Sequence, residues 1–212
     1  MPLLNWMLRR GGARQQAWLR GRRSSTPEPD PGNTGGGKNE MSNNINTKVL
    51  AEVAILVALA TVLSFIRFVV FPQGGGVTLA SMVPLLILSY RRGWKVGIFA
   101  CLVYGVIQFY QDPYMFSLAQ VILDYPIAFG CIGLAGFFKD GKELIGAVVG
   151  LGGRFIAHII SGYVFFGQWA PEGMDPLVYS IIYNGTYMLP EIVISGIFVY
   201  LLMKRGILEM SL

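Results

Sequence analysis

Apolar positions along the chain gather into six long runs, near 48–70, 78–90, 94–111, 115–137, 144–166 and 177–203, with short polar or glycine-rich stretches between them. A helix that crosses a bilayer needs about 20 such residues. A chain in hydrocarbon must satisfy its own backbone, which a helix does within one segment. The pattern therefore predicts an all-α membrane protein with six transmembrane helices. The second run is short for a bilayer and is expected to be tilted, broken or extended into its neighbours. Neither an internal repeat nor an inverted pair of broken helices is visible.

The connections between the runs alternate in charge. Lys48 opens the first run, and Phe71-Pro-Gln-Gly-Gly-Gly is uncharged. The next connection holds Arg91, Arg92 and Lys95, followed by Gln111-Asp112-Pro113-Tyr114. Lys139, Asp140, Lys142 and Glu143 come next, then the acidic stretch 167–175, and the chain closes with Lys204 and Arg205. Basic loops stay in the cytoplasm. Every second connection is basic, so both termini are expected to be cytoplasmic.

Composition agrees with this picture. The chain is 53% hydrophobic and 14% charged, whereas soluble domains carry nearer a quarter charged residues. Of its 17 basic residues, seven precede Met41, and after Met41 there are 10 basic and 9 acidic residues. The excess of positive charge thus belongs to the head, and nucleic-acid binding is not expected. Cys101 and Cys131 fall inside apolar runs and read as packing residues, with no disulfide framework or metal-binding spacing.

The head, residues 1–46, is read as a disordered basic, Pro/Gly-rich extension ahead of a six-helix membrane domain, residues 47–212. Arg9, Arg10, Arg14, Arg20, Arg22 and Arg23 occur with no acid before Ser25. That composition resembles an organellar transit peptide. The favoured reading is nonetheless a plain extension, with Met41 as a natural start just before the first span, and the transit peptide is the alternative.

Ionisable residues inside a span are costly and mark function or pairing. Arg67, Asp124, Arg154, His158 and Glu191 stand out. At 1.5 Å per residue, Asp124, His158 and Asn184 lie about 13, 12 and 10 Å below the outer ends of three different helices. Three polar side chains at one depth suggest a ligand pocket. Tyr114, Tyr125, Tyr163, Trp169, Tyr179 and Tyr183 cluster near that level. An interfacial aromatic belt accounts for some of these rings, but not for the three polar residues. An anionic, aromatic-lined cavity favours a cation, and a quaternary nitrogen in particular. Arg154 and Glu191 lie deeper and are expected to form a structural ion pair. Arg67, at the outer end of the first helix, is expected to snorkel to water. Ala51, Ala54 and Ala58 form a smooth stripe on the first helix, suited either to packing within the bundle or to docking a partner membrane subunit.

Several runs resemble the ThiT family, the thiamine-specific S-components of energy-coupling-factor (ECF) transporters. They are Leu123-Asp124-Tyr125-Pro126-Ile127-Ala128-Phe129, Tyr90-Arg91-Arg92-Gly93, and Arg154-Phe155 with His158 and Gly162. The resemblance extends from about Met41 to the end. It implies a six-helix subunit in the bacterial plasma membrane that holds thiamine near the outer surface. Such a subunit docks on one transmembrane subunit and two ATPase subunits. The resemblance implies substrate contacts at Asp124, Tyr125, Tyr114, His158, Gly162, Trp169, Tyr179 and Asn184, and partner docking at Ala54 and Ala58. Some members add a tryptophan from the first outer loop. This chain has none between Met41 and Trp94, so Phe71 substitutes or the contact is missing. The loop Gln73-Gly74-Gly75-Gly76 is a candidate lid.

The chain contains no Gly-x-x-x-x-Gly-Lys-Ser/Thr phosphate loop, so ATP hydrolysis is expected on partners, with no cofactor and no enzymatic activity in this chain. Two other readings are a stand-alone proton-coupled carrier of thiamine or another vitamin, with Asp124, His158 and Glu191 relaying protons, and an intramembrane hydrolase using Ser161 and His158. No Gly-x-Ser-x-Gly elbow surrounds Ser161, which weighs against the last.

Overall fold

The computed structural model describes residues 36–71 and 75–209. Residues 1–35 of the head expected to be disordered lie outside the described residues, as do Gln73 and Gly74 of the candidate lid, whereas residues 36–46 form the start of a helix. The elements, in chain order, are α1 (Gly36–Ser64), β1 (Arg67–Val70), β2 (Gly76–Thr78), α2 (Val83–Arg92), α3 (Trp94–Gln111), α4 (Leu118–Phe137), α5 (Glu143–Phe165) and α6 (Pro176–Lys204). Among the described residues, four helical segments are long and apolar enough to cross a membrane: Thr47–Ser64 of α1, then α4, α5 and α6.

The all-α expectation fails in one place. The first apolar run does not stay helical to residue 70. Helix α1 stops at Ser64, and Arg67–Val70 forms a strand antiparallel to Gly76–Thr78, pairing Val69 with Val77 and Val70 with Gly76. Aromatic and β-branched residues in Phe68-Val69-Val70 favour extended backbone, and Phe71 N donates to Gly75 O at 2.7 Å just beyond the paired residues. Hydropathy alone reads the same residues as more helix. The second run is divided in consequence. Thr78 ends the hairpin, and α2 begins at Val83, with Pro84 tolerated in its first turn. Arg67 therefore sits on β1, where it bonds Asp112 at 2.5 Å rather than snorkelling to water.

Helix α2 has ten residues, about 15 Å of rise, too short to span a bilayer alone. It survives by burial. Leu85, Leu86 and Leu88 are fully buried, packed in one core with Tyr104 of α3, Ile132 of α4 and Leu151 of α5. A helix enclosed by its neighbours meets little lipid, so its length is set by packing.

Buried charge is resolved locally. Glu52 of α1 is 3% exposed, forms an ion pair with Arg91 at 3.1 Å and accepts a hydrogen bond from Arg92 Nε. This clamp ties α1 to the last turn of α2. Glu52 escapes a search for in-span charges because it lies one turn from Lys48, where a charge is ordinary. The expected Arg154–Glu191 pair does not form. Glu191 instead accepts from the backbone N–H and the hydroxyl of Thr78, at 2.9 and 2.7 Å, and so anchors the base of the hairpin to α6. Arg154 turns toward Met82 Sδ at 3.2 Å and lies 4.3 Å from the ring centre of Phe129. A neutral donor pair close in space outcompetes a more distant cation for this carboxylate.

Ala51, Ala54 and Ala58 are exposed, and so are Leu50, Ile55, Leu59 and Val62. The small-residue stripe of α1 therefore faces outward and takes no part in packing within the bundle.

Glu52→Ala should lower the thermal midpoint in detergent, because two guanidinium groups lose their acceptor. A hydrogen bond to a charged group contributes about 1.5–3 kcal/mol. Melting by tryptophan fluorescence measures the effect, with Ala51→Ser as a control on the exposed face. A Glu52→Ala protein that melts with the parent would show that the clamp adds nothing.

Candidate functional site

The site is built on an irregular helix. The Ser117 hydroxyl accepts from Gln120 N at 3.1 Å and starts α4 as its N-cap. One regular turn follows. Pro126 then interrupts the ladder, since it has no N–H to give. The chain widens into a π-turn over Leu123–Ile127, in which Ala128 N reaches back to Leu123 O. Turns of this type recur at functional sites because the extra residue re-aims its neighbours. Here the turn carries Asp124 and Tyr125. Helix α3 runs so close that a Cβ on Gly105 would lie 2.5 Å from Tyr125 O. Glycine is required at that crossing.

Asp124 lies at the centre. Its Oδ1 is 3.1 Å from His158 Nδ1 on α5, and its Oδ2 accepts from Gln120 Nε2 at 2.7 Å. A carboxylate offers about four lone-pair positions, so two donors leave it capacity for another partner. Its side chain is 15% exposed and faces a cavity. With the proton on Nδ1, His158 donates to Asp124 and keeps Nε2 as an acceptor. That Nε2 is buried with no protein partner.

The cavity takes in about 740 Å³ of space, open solvent at its mouth included. It sits at the end of the bundle where α3 finishes and α4 begins. Asp124, Tyr125, Tyr114, His158, Gly162, Tyr179 and Asn184 all line it. Seven of the eight site residues expected from the sequence are thus brought together. Trp169 is not among the lining residues. Its ring packs on Phe166 at 5.5 Å and Phe116 at 5.7 Å, and Phe166 is the lining ring that separates it from the cavity. The intervening 3₁₀ turn Gly167–Trp169 sets it outward. Tyr163 also points away from the cavity and is 53% exposed.

Some lining residues have duties within the fold. Asn184 Nδ2 donates to His158 O at 3.2 Å and Ser180 O at 2.9 Å, while its Oδ1 accepts from Tyr187 at 2.5 Å. Asn184 therefore fastens α6 to the segment of α5 that carries His158. The Tyr125 hydroxyl donates to Asp112 O at 2.8 Å and accepts from Tyr114 N at 3.0 Å, which fixes the connection between α3 and α4. Arg67, paired with Asp112, closes the wall beside it.

Sequence reasoning passes over Gln120, Gln108, Tyr187 and Phe166, all of which line the cavity. Two of these left a signal. Tyr187 extends the Tyr179–Tyr183 spacing by another four residues, and Gln120 is one turn before Asp124 on the same face. Phe71 is not a lining residue. It packs on Tyr183 and Tyr187, at 5.9 Å in each case. Ser161 is 1% exposed, and its hydroxyl has no hydrogen-bond partner. The serine–histidine dyad that a hydrolase requires is therefore not formed.

Comparison with known proteins places this geometry in context. The family model described as "Thiamine transporter protein (Thia_YuaJ)" matches residues 50–208. The thiamine transporter ThiT of Bacillus subtilis (strain 168) is 37% identical over 176 residues, 72% of this chain and 88% of the relative. ThiT of Lacticaseibacillus paracasei is 30% identical over 178 residues, 73% of this chain and 86% of the relative. A solved structure of ThiT from Listeria monocytogenes superposes with a TM-score of 0.67 at 27% identity, covering 76% of this chain and 96% of that one.

The crossing of α5 and α6 under the cavity gives a direct test. A Cβ on Gly162 would lie 2.1 Å from Ser180 Oγ and 3.1 Å from Asn184 Nδ2. Gly162→Ala should destabilise the protein by about 1–3 kcal/mol, the usual cost of overpacking, and Ser180→Ala in the same chain should recover part of it. Thermal melting in detergent reads both, and an unshifted Gly162→Ala midpoint would mean that the helices part without strain.

Proposed function

The chain belongs to the thiamine transporter family, and from that premise we propose that it is the membrane subunit that captures extracellular thiamine for import. It is a multi-pass membrane protein. The observation that carries the proposal is the Asp124 carboxylate, held between Gln120 and His158 on the wall of a tyrosine-rich cavity. Thiamine combines a permanently charged thiazolium ring with an aminopyrimidine that has both donors and acceptors. Asp124 supplies the counter-charge for the cation, and the rings of Tyr114, Tyr125, Tyr179 and Tyr183 offer their faces. His158 Nε2, buried and unpartnered, accepts from an amino group. Trp169 acts on the ligand from the rim, through its contact with Phe166.

Both termini lie in the cytoplasm in this reading. Lys139 Nζ approaches within 3.9 Å of the Cβ position at Gly93, so the basic turns after α2 and α4 share one end of the bundle. The cavity is at the opposite end and opens outward. All six helices then belong to the membrane domain, with α2 spanning only as part of the packed core. The chain acts as an S-component. Its partners are one ECF transmembrane subunit and two ATPase subunits that hydrolyse ATP on its behalf. The outward stripe of Ala54 and Ala58 supports docking through α1, since small residues allow a partner helix to approach closely.

Calorimetry of the purified protein with thiamine, riboflavin and biotin tests the proposal. Saturable binding of thiamine alone is expected, and absence of thiamine binding would overturn it. Asp124→Asn should raise the dissociation constant about ten- to hundredfold, because the cation loses a charged contact of roughly 1.5–3 kcal/mol. Trp169→Ala should weaken binding by roughly 1–2 kcal/mol, and parent-like binding of that variant would assign Trp169 to the interfacial belt. Ala54→Trp or Ala58→Trp should abolish uptake in cells that carry the ATPase module and leave thiamine binding intact. Uptake by the parent without any ATPase module would instead identify a self-sufficient carrier.

A further inference from the structure

Asp124 has two partners, and Gln120 is the one whose role the fold singles out. Gln120 is 1% exposed, and its side-chain amide is engaged on every side. Its Oε1 accepts from Phe116 N at 3.0 Å. Its Nε2 donates to Tyr114 O at 3.3 Å and to Asp124 Oδ2 at 2.7 Å. The first two bonds grip the backbone of the connection before α4, and the third grips the carboxylate. Gln120 also lines the cavity.

A glutamine in this place does what a lysine or arginine would undo. It fixes the carboxylate through a donor that brings no charge, so the negative charge of Asp124 stays available to a cation. Among the described ion pairs, the only one made by Asp124 is with His158, which is charged only if protonated. Hydrogen bonds to an ionised acceptor are short and strong, so the 2.7 Å contact holds the carboxylate against rotation about its own axis. The same amide ties that orientation to the backbone of Tyr114 and Phe116, whose rings both pack on Phe166. The register of this outer connection is thereby transmitted to the charged centre.

We propose that Gln120 is a positioning residue that sets the preference of the site for a cationic ring over a neutral ring of the same shape, by holding the Asp124 carboxylate aimed into the cavity. The inference rests on the thiamine-binding reading given above. Gln120→Met removes the donor at nearly constant volume. Gln120→Asn keeps a buried amide but is one methylene too short to reach both Asp124 and the backbone of Phe116, and it guards against a misfolded methionine variant.

The test measures dissociation constants by calorimetry for thiamine and for an analogue in which an uncharged thiophene replaces the thiazolium. Both ligands are titrated into the parent, Gln120→Met, Gln120→Asn, Asp124→Asn and the double variant Gln120→Met/Asp124→Asn. Thiamine binding should weaken about tenfold or more in either Gln120 variant, the scale of one charge-assisted bond. The neutral analogue should change by no more than about threefold, a fraction of that scale. The double variant should bind thiamine no more weakly than Asp124→Asn alone, since coupled residues are not additive. Equal losses for both ligands, additive losses in the double variant, or parent-like binding in both Gln120 variants would overturn the proposal and leave the functional reading standing. A parent protein that fails to bind thiamine would overturn the functional reading and this inference with it.

Discussion

A carboxylate inside an apolar bundle is the constraint around which this structure is arranged. An isolated ionised group in a low-dielectric interior is unstable by many kcal/mol unless it is hydrogen-bonded or paired. Asp124 is stabilised by one donor from its own helix and one from α5, at 2.7 and 3.1 Å. Each donor is then fixed by a further layer. Gln120 is gripped by the backbone of Tyr114 and Phe116. His158 lies on a turn of α5 whose carbonyl is held by Asn184. The π-turn around Pro126 and the close approach of α3 at Gly105 put the carboxylate where those donors can reach it.

The other acids in the bundle show what is particular about Asp124. Glu52 is 3% exposed and spent on two arginines. Glu191 is 1% exposed and spent on Thr78. Both are closed arrangements that hold elements together, α1 to the last turn of α2 in one case and α6 to the hairpin in the other. Asp124 instead faces a cavity with unused acceptor positions. That asymmetry separates a structural carboxylate from one poised for a ligand, and it follows from geometry rather than from residue type.

Much of this was legible in the sequence and some was not, for physical reasons. Counting residues from helix ends put Asp124, His158 and Asn184 at one depth, and they meet because a helix has a fixed rise. The hairpin was hidden, since Phe68-Val69-Val70 has the same hydropathy as a helix end and differs only in backbone preference. Depth along α5 and α6 points Glu191 toward Arg154, yet its partner is Thr78. A backbone N–H such as that of Thr78 is a strong donor at every position and leaves no mark in a sequence. Gln120 was passed over because an uncharged amide in a span attracts less notice than an acid, although its i, i+4 relation to Asp124 was there to be used. Trp169 was placed by resemblance, and the 3₁₀ turn that moves it one ring away from the cavity is a backbone detail that composition does not carry.

The central claim is that Asp124 is the counter-charge of a bound cation. A crystal structure of the protein with thiamine tests it most directly. The account predicts the thiazolium ring in the cavity between α4, α5 and α6, with its charge within about 6 Å of the Asp124 carboxylate, the range over which opposite charges act strongly. Thiamine bound outside this cavity, or with its thiazolium turned away from Asp124, would contradict it.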